Sequence, residues 1–432
     1  MASEFYIKLN FTERRTYRLH LSYSIIEGII LGVLALNEFV FVRSINGSNY
    51  QLSILFQLTT VLLIFAVFFH ELIKRVTNKR KMLRIVAIVT RLPLILLCLF
   101  PTDPAIYKAR PEYHYYFLLI FLFYYFANPI IYPSINQLLK NNYKHEHFGR
   151  LYGHATIWNK IIMMTVTFLY GFLLDYDYYA FRYVFPVIAI LGIFSVYLLT
   201  RIRFKKQSTT NHKQKLFAAI KESTEGIFKI LKANKPYQHF ELGFMLYGFA
   251  FMSTVSVITI FFSKELELNY TSVAFYKNGY NILAILLLPL FGRLIGSIDP
   301  RRFAAITFFS LMMALLFLVL TQYFPFFVWI GDFKIYYMLI LYMLANGLFA
   351  ATMGLLWSIG SVYFCKNENA DAYQAVHLTL TGERALLAPL LGVLIYNLFG
   401  FAITFLLGSL SLLAAVIVMY WSLKKEPEII PD

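Results

Sequence analysis

The chain has 432 residues, 59% hydrophobic and only 14% charged, with a mean hydropathy of +0.62; soluble domains carry about a quarter charged residues, so this composition excludes an ordinary one. The formal net charge of +16 does not mark a nucleic-acid binder, because the basic residues are scattered over short connections between apolar runs rather than gathered on one face. Cys98 and Cys365 are the only cysteines, which argues against a disulfide framework; no metal-ligand set is visible and no cofactor is expected.

The first stretch, MASEFYIKLNFTERRTYRLH, is polar and lacks an apolar core followed by a cleavage site, so the first spanning helix is expected to act as its own insertion signal. A membrane-crossing helix needs about 20 mostly apolar residues. Candidate spans run near 17–42, 51–70, 83–100, 114–139, 154–174 and 180–200, and again near 237–262, 272–292, 303–323, 335–360, 372–396 and 401–422. The expected fold is therefore all-α integral membrane, with twelve transmembrane helices in two six-helix bundles, 1–200 and 237–432. Residues 201–236 form the linker between them. From 213 onward Leu216, Phe217, Ile220, Ile227, Phe228 and Leu231 recur at helical spacing opposite lysines, which predicts an amphipathic helix on a membrane surface.

Alternate connections differ in charge. One set holds Lys8, Arg14, Arg15 and Arg18, then Lys74, Arg75, Lys79, Arg80, Lys81 and Arg84, then Lys140, Lys144 and Arg150, the linker, Arg293, Arg301 and Arg302, and finally Lys366, Lys424 and Lys425; the alternate set holds only Arg43, Lys108, Arg110, Arg182, Lys264, Lys277 and Lys334. The richer side is cytoplasmic by the positive-inside rule, which places both termini and the linker there. Short external loops and lean termini point to a bacterial inner membrane. One constant shift of 221 superimposes Arg80 on Arg301, Lys81 on Arg302, Tyr152 on Tyr373 and Gly171 on Gly392, as a parallel duplication of a six-helix unit would.

Between the eighth and ninth spans the chain reads Gly292-Arg-Leu-Ile-Gly-Ser-Ile-Asp-Pro-Arg301-Arg302. This resembles the cytoplasmic loop motif of the major facilitator superfamily, in which a glycine lets two helices approach and arginines bond helix ends. The matching loop of the first half keeps Arg75 and Arg80 but lacks the glycine, and both copies depart from the pattern at its acidic position, with Lys74 and Gly296. The resemblance implies two bundles rocking about a central cavity lined by the first and fourth spans of each half, and a monomer.

Buried charges cost about 2.5–3.5 kcal/mol each on insertion scales, so those that remain are functional candidates. In the first span His20, Glu27 and Glu38 share a face, and Glu27 lies ten residues in from Tyr17, about 15 Å at 1.5 Å per residue, with Tyr23 beside it. A carboxyl group at that depth can hold a proton while open to one side and lose it to the other, which makes Glu27 the leading proton-coupling candidate; a static ion pair is the competing role. Glu38 sits at the outer boundary, as a cavity-mouth residue. In the eleventh span His377, Thr381 and Arg384 share a face, with Glu383 adjacent as a second coupling candidate; Arg384 needs an anion nearby, from Glu383, Glu27 or a solute. Arg91 in the third span is expected to pair with a neighbouring helix. Neutral polar groups suited to a solute are Asn128 and Tyr132 in the fourth span, Asn281 in the eighth, and Asn346 and Trp357 in the tenth, each equally able to serve as interhelical glue.

These features point to a secondary transporter of a small organic solute, with protons as a possible partner and the bilayer as its solvent. No Walker A loop is present, so ATP hydrolysis is not expected. An uncoupled facilitator or an exporter of amphipathic compounds is the nearest alternative. A membrane enzyme acting on lipid through His154, His377 or His145-Glu-His147 lacks HExxH and a nucleophile elbow, and no enzymatic activity is expected; a solute receptor is a further alternative.

Overall fold

The computed structural model describes residues 9–65, 69, 73, 76–203, 226, 229–365 and 370–426, some of them by backbone alone. Helices dominate, and polar side chains cap the starts of six of the twelve named below. Helix α1 (Phe11–Leu34) opens on a capping box in which Asn10 accepts from the Glu13 amide and Glu13 reaches back to the Asn10 amide. Ser48 and Gln51 form the same device at α2 (Asn49–Val61), which continues as a 3₁₀ segment, Leu62–Phe65. Asn78 caps α3 (Lys79–Arg91), which tightens into a 3₁₀ segment, Leu92–Leu99, where Pro93 removes an amide.

Helices α4 (Glu112–Tyr125) and α5 (Asn128–Asn142) meet at Phe126-Ala127, just before Pro129. Then come α6 (His145–Tyr176), α7 (Phe181–Thr200), α8 (Lys235–Ile260), α9 (Tyr270–Ile295) and α10 (Pro300–Tyr323). A hairpin of β1 (Phe327–Ile330) and β2 (Phe333–Tyr336) leads into α11 (Tyr337–Ile359). The last element, α12 (Ala370–Lys425), is two helices run together: Gly400 takes φ 81°, a conformation that costs a residue without Cβ nothing.

Among the described residues ten helices are long and apolar enough to cross a membrane. The difference from the twelve expected stretches has a local origin. The eleventh and twelfth stretches are counted once, because the kink at Gly400 does not interrupt the hydrogen-bonded run, and the second stretch is described as helix only to Phe65 before the gaps begin. The expected surface helix from 213 onward lies largely outside the described residues.

By contacts the chain forms two compact units, one drawn from residues 1–47 and 65–216, the other from 48–64 and 217–432. Helix α2 joins the second unit through its polar residues. Gln57 donates to the Leu386 carbonyl at 2.7 Å, and Lys264 donates to the Asn49 side chain at 2.9 Å.

The shift of 221 residues recurs in backbone detail. Single π turns end the first crossing of each half at Val40–Ser44 and Phe261–Glu265. Each is followed by a non-glycine residue with positive φ, Asn46 at 57° and Glu267 at 48°, and then by a capping residue, Ser48 and Asn269. Asn78 and Asp299 likewise cap equivalent helices, α3 and α10.

The long crossings within each unit depend on small residues. A Cβ on Gly28 would stand 2.6 Å from the Asn159 carbonyl oxygen and one on Gly32 2.7 Å from that of Met163, so α1 and α6 approach backbone to backbone. In the second unit a Cβ on Gly392 would overlap the backbone of Ser253, joining α12 to α8 in the same way. Gly392→Val is therefore expected to destabilise the protein by about 1–3 kcal/mol, the usual cost of overpacking. Gly153→Ala, where nothing lies within 4 Å of the added carbon, should leave the unfolding temperature in detergent nearly unchanged.

Candidate functional site

In the first unit the central group is Glu27 on α1. It is buried, accepts a hydrogen bond from the Ser195 hydroxyl on α7 at 2.9 Å, and feels the charge of Arg91 on α3. Arg91 is itself buried. It donates to Thr90 Oγ1 at 2.7 Å, lies 4.9 Å from the Tyr124 ring centroid, and rests on Gly192, where an added Cβ would come within 2.9 Å of its Cγ. The arginine expected to pair with a neighbouring helix thus supports the leading carboxylate. Tyr23 is buried in an apolar cluster with Tyr17, Ile131 and Ile135, while Glu38 is half-buried beyond the end of α1.

The second unit holds a comparable arrangement on α8 and α12. Arg384 is buried, and its guanidinium donates to the Phe244 carbonyl and to Thr381 Oγ1, the latter at 3.2 Å. It lies 5.7 Å from the Tyr247 ring centroid and occupies the space that a side chain at Gly248 would need. The carboxylate acting on it is Glu241. Glu383, its sequence neighbour, is exposed on a different face of the helix, because adjacent residues on a helix point about 100° apart. His377 donates from Nδ1 to both Glu241 oxygens, at 3.0 and 3.1 Å, and its ring is held edge-to-face by Phe244 and Trp357, each with centroids 4.7 Å away. Among the described residues its Nε2 is buried without a hydrogen-bond partner. Tyr237 faces Glu241 and donates to the Tyr373 carbonyl.

The two clusters use the same parts: an arginine, a glycine that makes room for it, a tyrosine ring, a threonine hydroxyl and a carboxylate. Cation–π contact is worth about 2 kcal/mol or more when desolvated, which helps offset the cost of burying each guanidinium. Glu241 and Ser195 were not singled out in the sequence. Glu241 carried a usable signal as the lone acid of an apolar stretch, four residues past its start; Ser195, a small hydroxyl in a greasy helix, carried none.

The neutral candidates are less concentrated. Asn281 donates to the Lys277 carbonyl of its own helix at 2.7 Å, and Asn128 and Asn346 are half-buried. The side chain of Tyr132 lies outside the described atoms. The histidines that a lipid-acting enzyme would use are engaged separately: His147 with Glu13 at 3.0 Å, His154 with the Tyr17 hydroxyl at 2.5 Å, and His377 with Glu241.

Of the loop-motif residues, Arg75 lies outside the described residues and a Cβ on Gly292 would meet open space. Arg80 donates to the Ile202 carbonyl just past the end of α7, at 3.4 Å. Its counterpart Arg301 is fully buried and donates to the Ser422 carbonyl near the end of α12 at 3.1 Å, so both bond the end of the last helix of their half. Arg301 also forms a two-pronged pair with Asp299, at 3.0 and 2.7 Å, and Arg302 follows it on α10. Asp299, three residues beyond Gly296, is the acid nearest to the motif's usual acidic position.

A family model for the major facilitator superfamily matches residues 21–382, and the chain belongs to that superfamily. It is a membrane transporter rather than an enzyme. Solved structures with the same fold include a variant of the nucleoside transporter NupG, with a TM-score of 0.70 at 11% identity over 94% of this chain and 100% of that one. A POT family transporter in complex with 5-aminolevulinic acid gives 0.71 at 10% identity over 95% and 96%. No curated protein matches the chain at a significant level.

Removing one partner of a buried ion pair strands the other, at a cost of about 3–5 kcal/mol. Asp299→Leu should therefore lower thermal stability strongly, and the double change with Arg301→Leu should cost less than the sum of the single changes in a double-mutant cycle.

Proposed function

We propose that this protein is a secondary transporter that moves a small organic solute by alternating access, with proton binding coupled to the cycle. The reading assumes twelve crossings, six in each half, and a chain working as a monomer with both termini in the cytoplasm of a bacterial cell. It is supported chiefly by one observation: in each unit a carboxylate on the first crossing of that half, Glu27 or Glu241, is buried within the field of an arginine and hydrogen-bonded to a side chain of another helix. Ions set so deep are retained in membrane proteins where they serve a substrate or proton path. Glu27 is the first candidate for the coupling proton. Glu241 is the second, because its direct contact with His377 gives that pair two titratable groups within hydrogen-bond distance, and it replaces Glu383, whose exposed side chain does not meet Arg384.

Asn128, Tyr132, Asn281, Asn346 and Trp357 are proposed to line the solute path, and the residues around Arg75, Arg80, Gly292, Arg301 and Arg302 to gate its cytoplasmic end. Proteins of the same fold are described as nucleoside and peptide transporters, which suggests polar solutes of that size. The test is uptake of labelled nucleosides, dipeptides and 5-aminolevulinic acid into proteoliposomes with and without an inward proton gradient. Gradient-driven uptake of one of them, abolished by Glu27→Gln or by Glu241→Gln, is the expected result. Uptake indifferent to both the gradient and these substitutions would leave an uncoupled facilitator.

A further inference from the structure

The hairpin between α10 and α11 carries an unusual surface. In an antiparallel strand successive side chains point to opposite faces, so a half-buried strand alternates between covered and open positions. Strand β1 does not. All four of its residues are open, Phe327 by 44%, Val328 by 38%, Trp329 by 54% and Ile330 by 59%, and Phe326 before it by 65%. Both faces of this strand are apolar, and among the described residues neither is more than partly covered, Phe327 by the Tyr336 ring and the Lys334 ammonium.

Strand β2 is fastened instead. Lys334 donates its amide to Ser272 Oγ at 2.8 Å and its ammonium to the Leu266 carbonyl at 2.7 Å, and the Tyr276 hydroxyl bridges the Lys334 carbonyl and the Tyr336 amide. The outward edge of β2 is thereby satisfied by α9 and the turn before it. Lys334 pairs with Trp329, and Tyr336 with Phe327. In antiparallel geometry, residues opposite those whose polar groups face away from the partner also face away. The backbone groups of Phe327 and Trp329 therefore lie along the open edge of β1.

These features specify the surroundings. Two apolar faces call for a non-aqueous medium, while an unpaired backbone edge cannot lie in the hydrocarbon core, where each unsatisfied group costs several kcal/mol. The headgroup–acyl boundary meets both conditions, and tryptophan and tyrosine favour it. The open surface of β1 is also flanked by that of the adjoining helix ends at Tyr323, Phe324, Tyr337 and Leu341. We propose that β1 is a lipid-docking ribbon that lies in the interfacial layer of the membrane at the end where α10 finishes and α11 begins. Through Lys334 it ties the turn at Leu266, after α8, to that layer. This inference does not depend on the substrate or on proton coupling.

A single cysteine at Trp329→Cys, in a chain carrying Cys98→Ser and Cys365→Ser, can be spin-labelled and reconstituted into phosphatidylcholine vesicles; Phe326→Cys provides a second site if the first variant is recovered poorly. The expected result is that collisions with oxygen exceed those with a water-soluble nickel chelate, at a depth just below the phosphates. A label at Asp332→Cys, in the turn, should show the opposite ratio. Full accessibility to the chelate at 329 and 326 would overturn the proposal. So would disulfide-linked dimers or spin–spin broadening at 329, which would show the open edge paired with a second copy of the chain.

Discussion

A charge buried among apolar helices must be surrounded by its own counter-groups, and the positions of Arg91 and Arg384 follow from that requirement. Each guanidinium is too bulky for an ordinary helix crossing, so each rests on a glycine of a neighbouring helix, Gly192 or Gly248. Each then meets a tyrosine ring, a threonine hydroxyl and the field of a carboxylate. Burial, pairing and glycine placement are one constraint. It brings Glu27 together with Ser195, and Glu241 together with His377.

Buried polar pairs differ in what they leave unbonded. Asp299 and Arg301 are buried as completely as any ions among the described residues, yet they saturate each other and the end of α12. Their geometry suits holding helices α10 and α12 together. Glu241 and His377 differ, because the second imidazole nitrogen has no hydrogen-bond partner among the described residues and two aromatic rings hold the ring in place.

The two halves share backbone features at one constant shift. A π turn, a residue of positive φ and a capping side chain follow one another at the same shift in both halves, although the residues differ: Asn46 against Glu267, and Ser48 against Asn269. What persists is the geometry of the turn. The side chains that carry charge have diverged, so Asn78 caps its helix as an amide where Asp299 caps as an acid that also takes up an arginine.

The helical class, the membrane as solvent, the buried acid of the first span and the arginine of the eleventh were all legible in the sequence, because hydropathy over twenty residues and an ion within an apolar run are local signals. Which carboxylate acts on Arg384 was not legible. Glu383 is its neighbour along the chain, yet the charge that acts on it is that of Glu241, because helical rotation carries adjacent side chains to different faces, while the Gly392–Ser253 crossing brings α8 alongside. Partner choice across helices depends on crossing geometry between segments more than a hundred residues apart, and only the tertiary structure decides it.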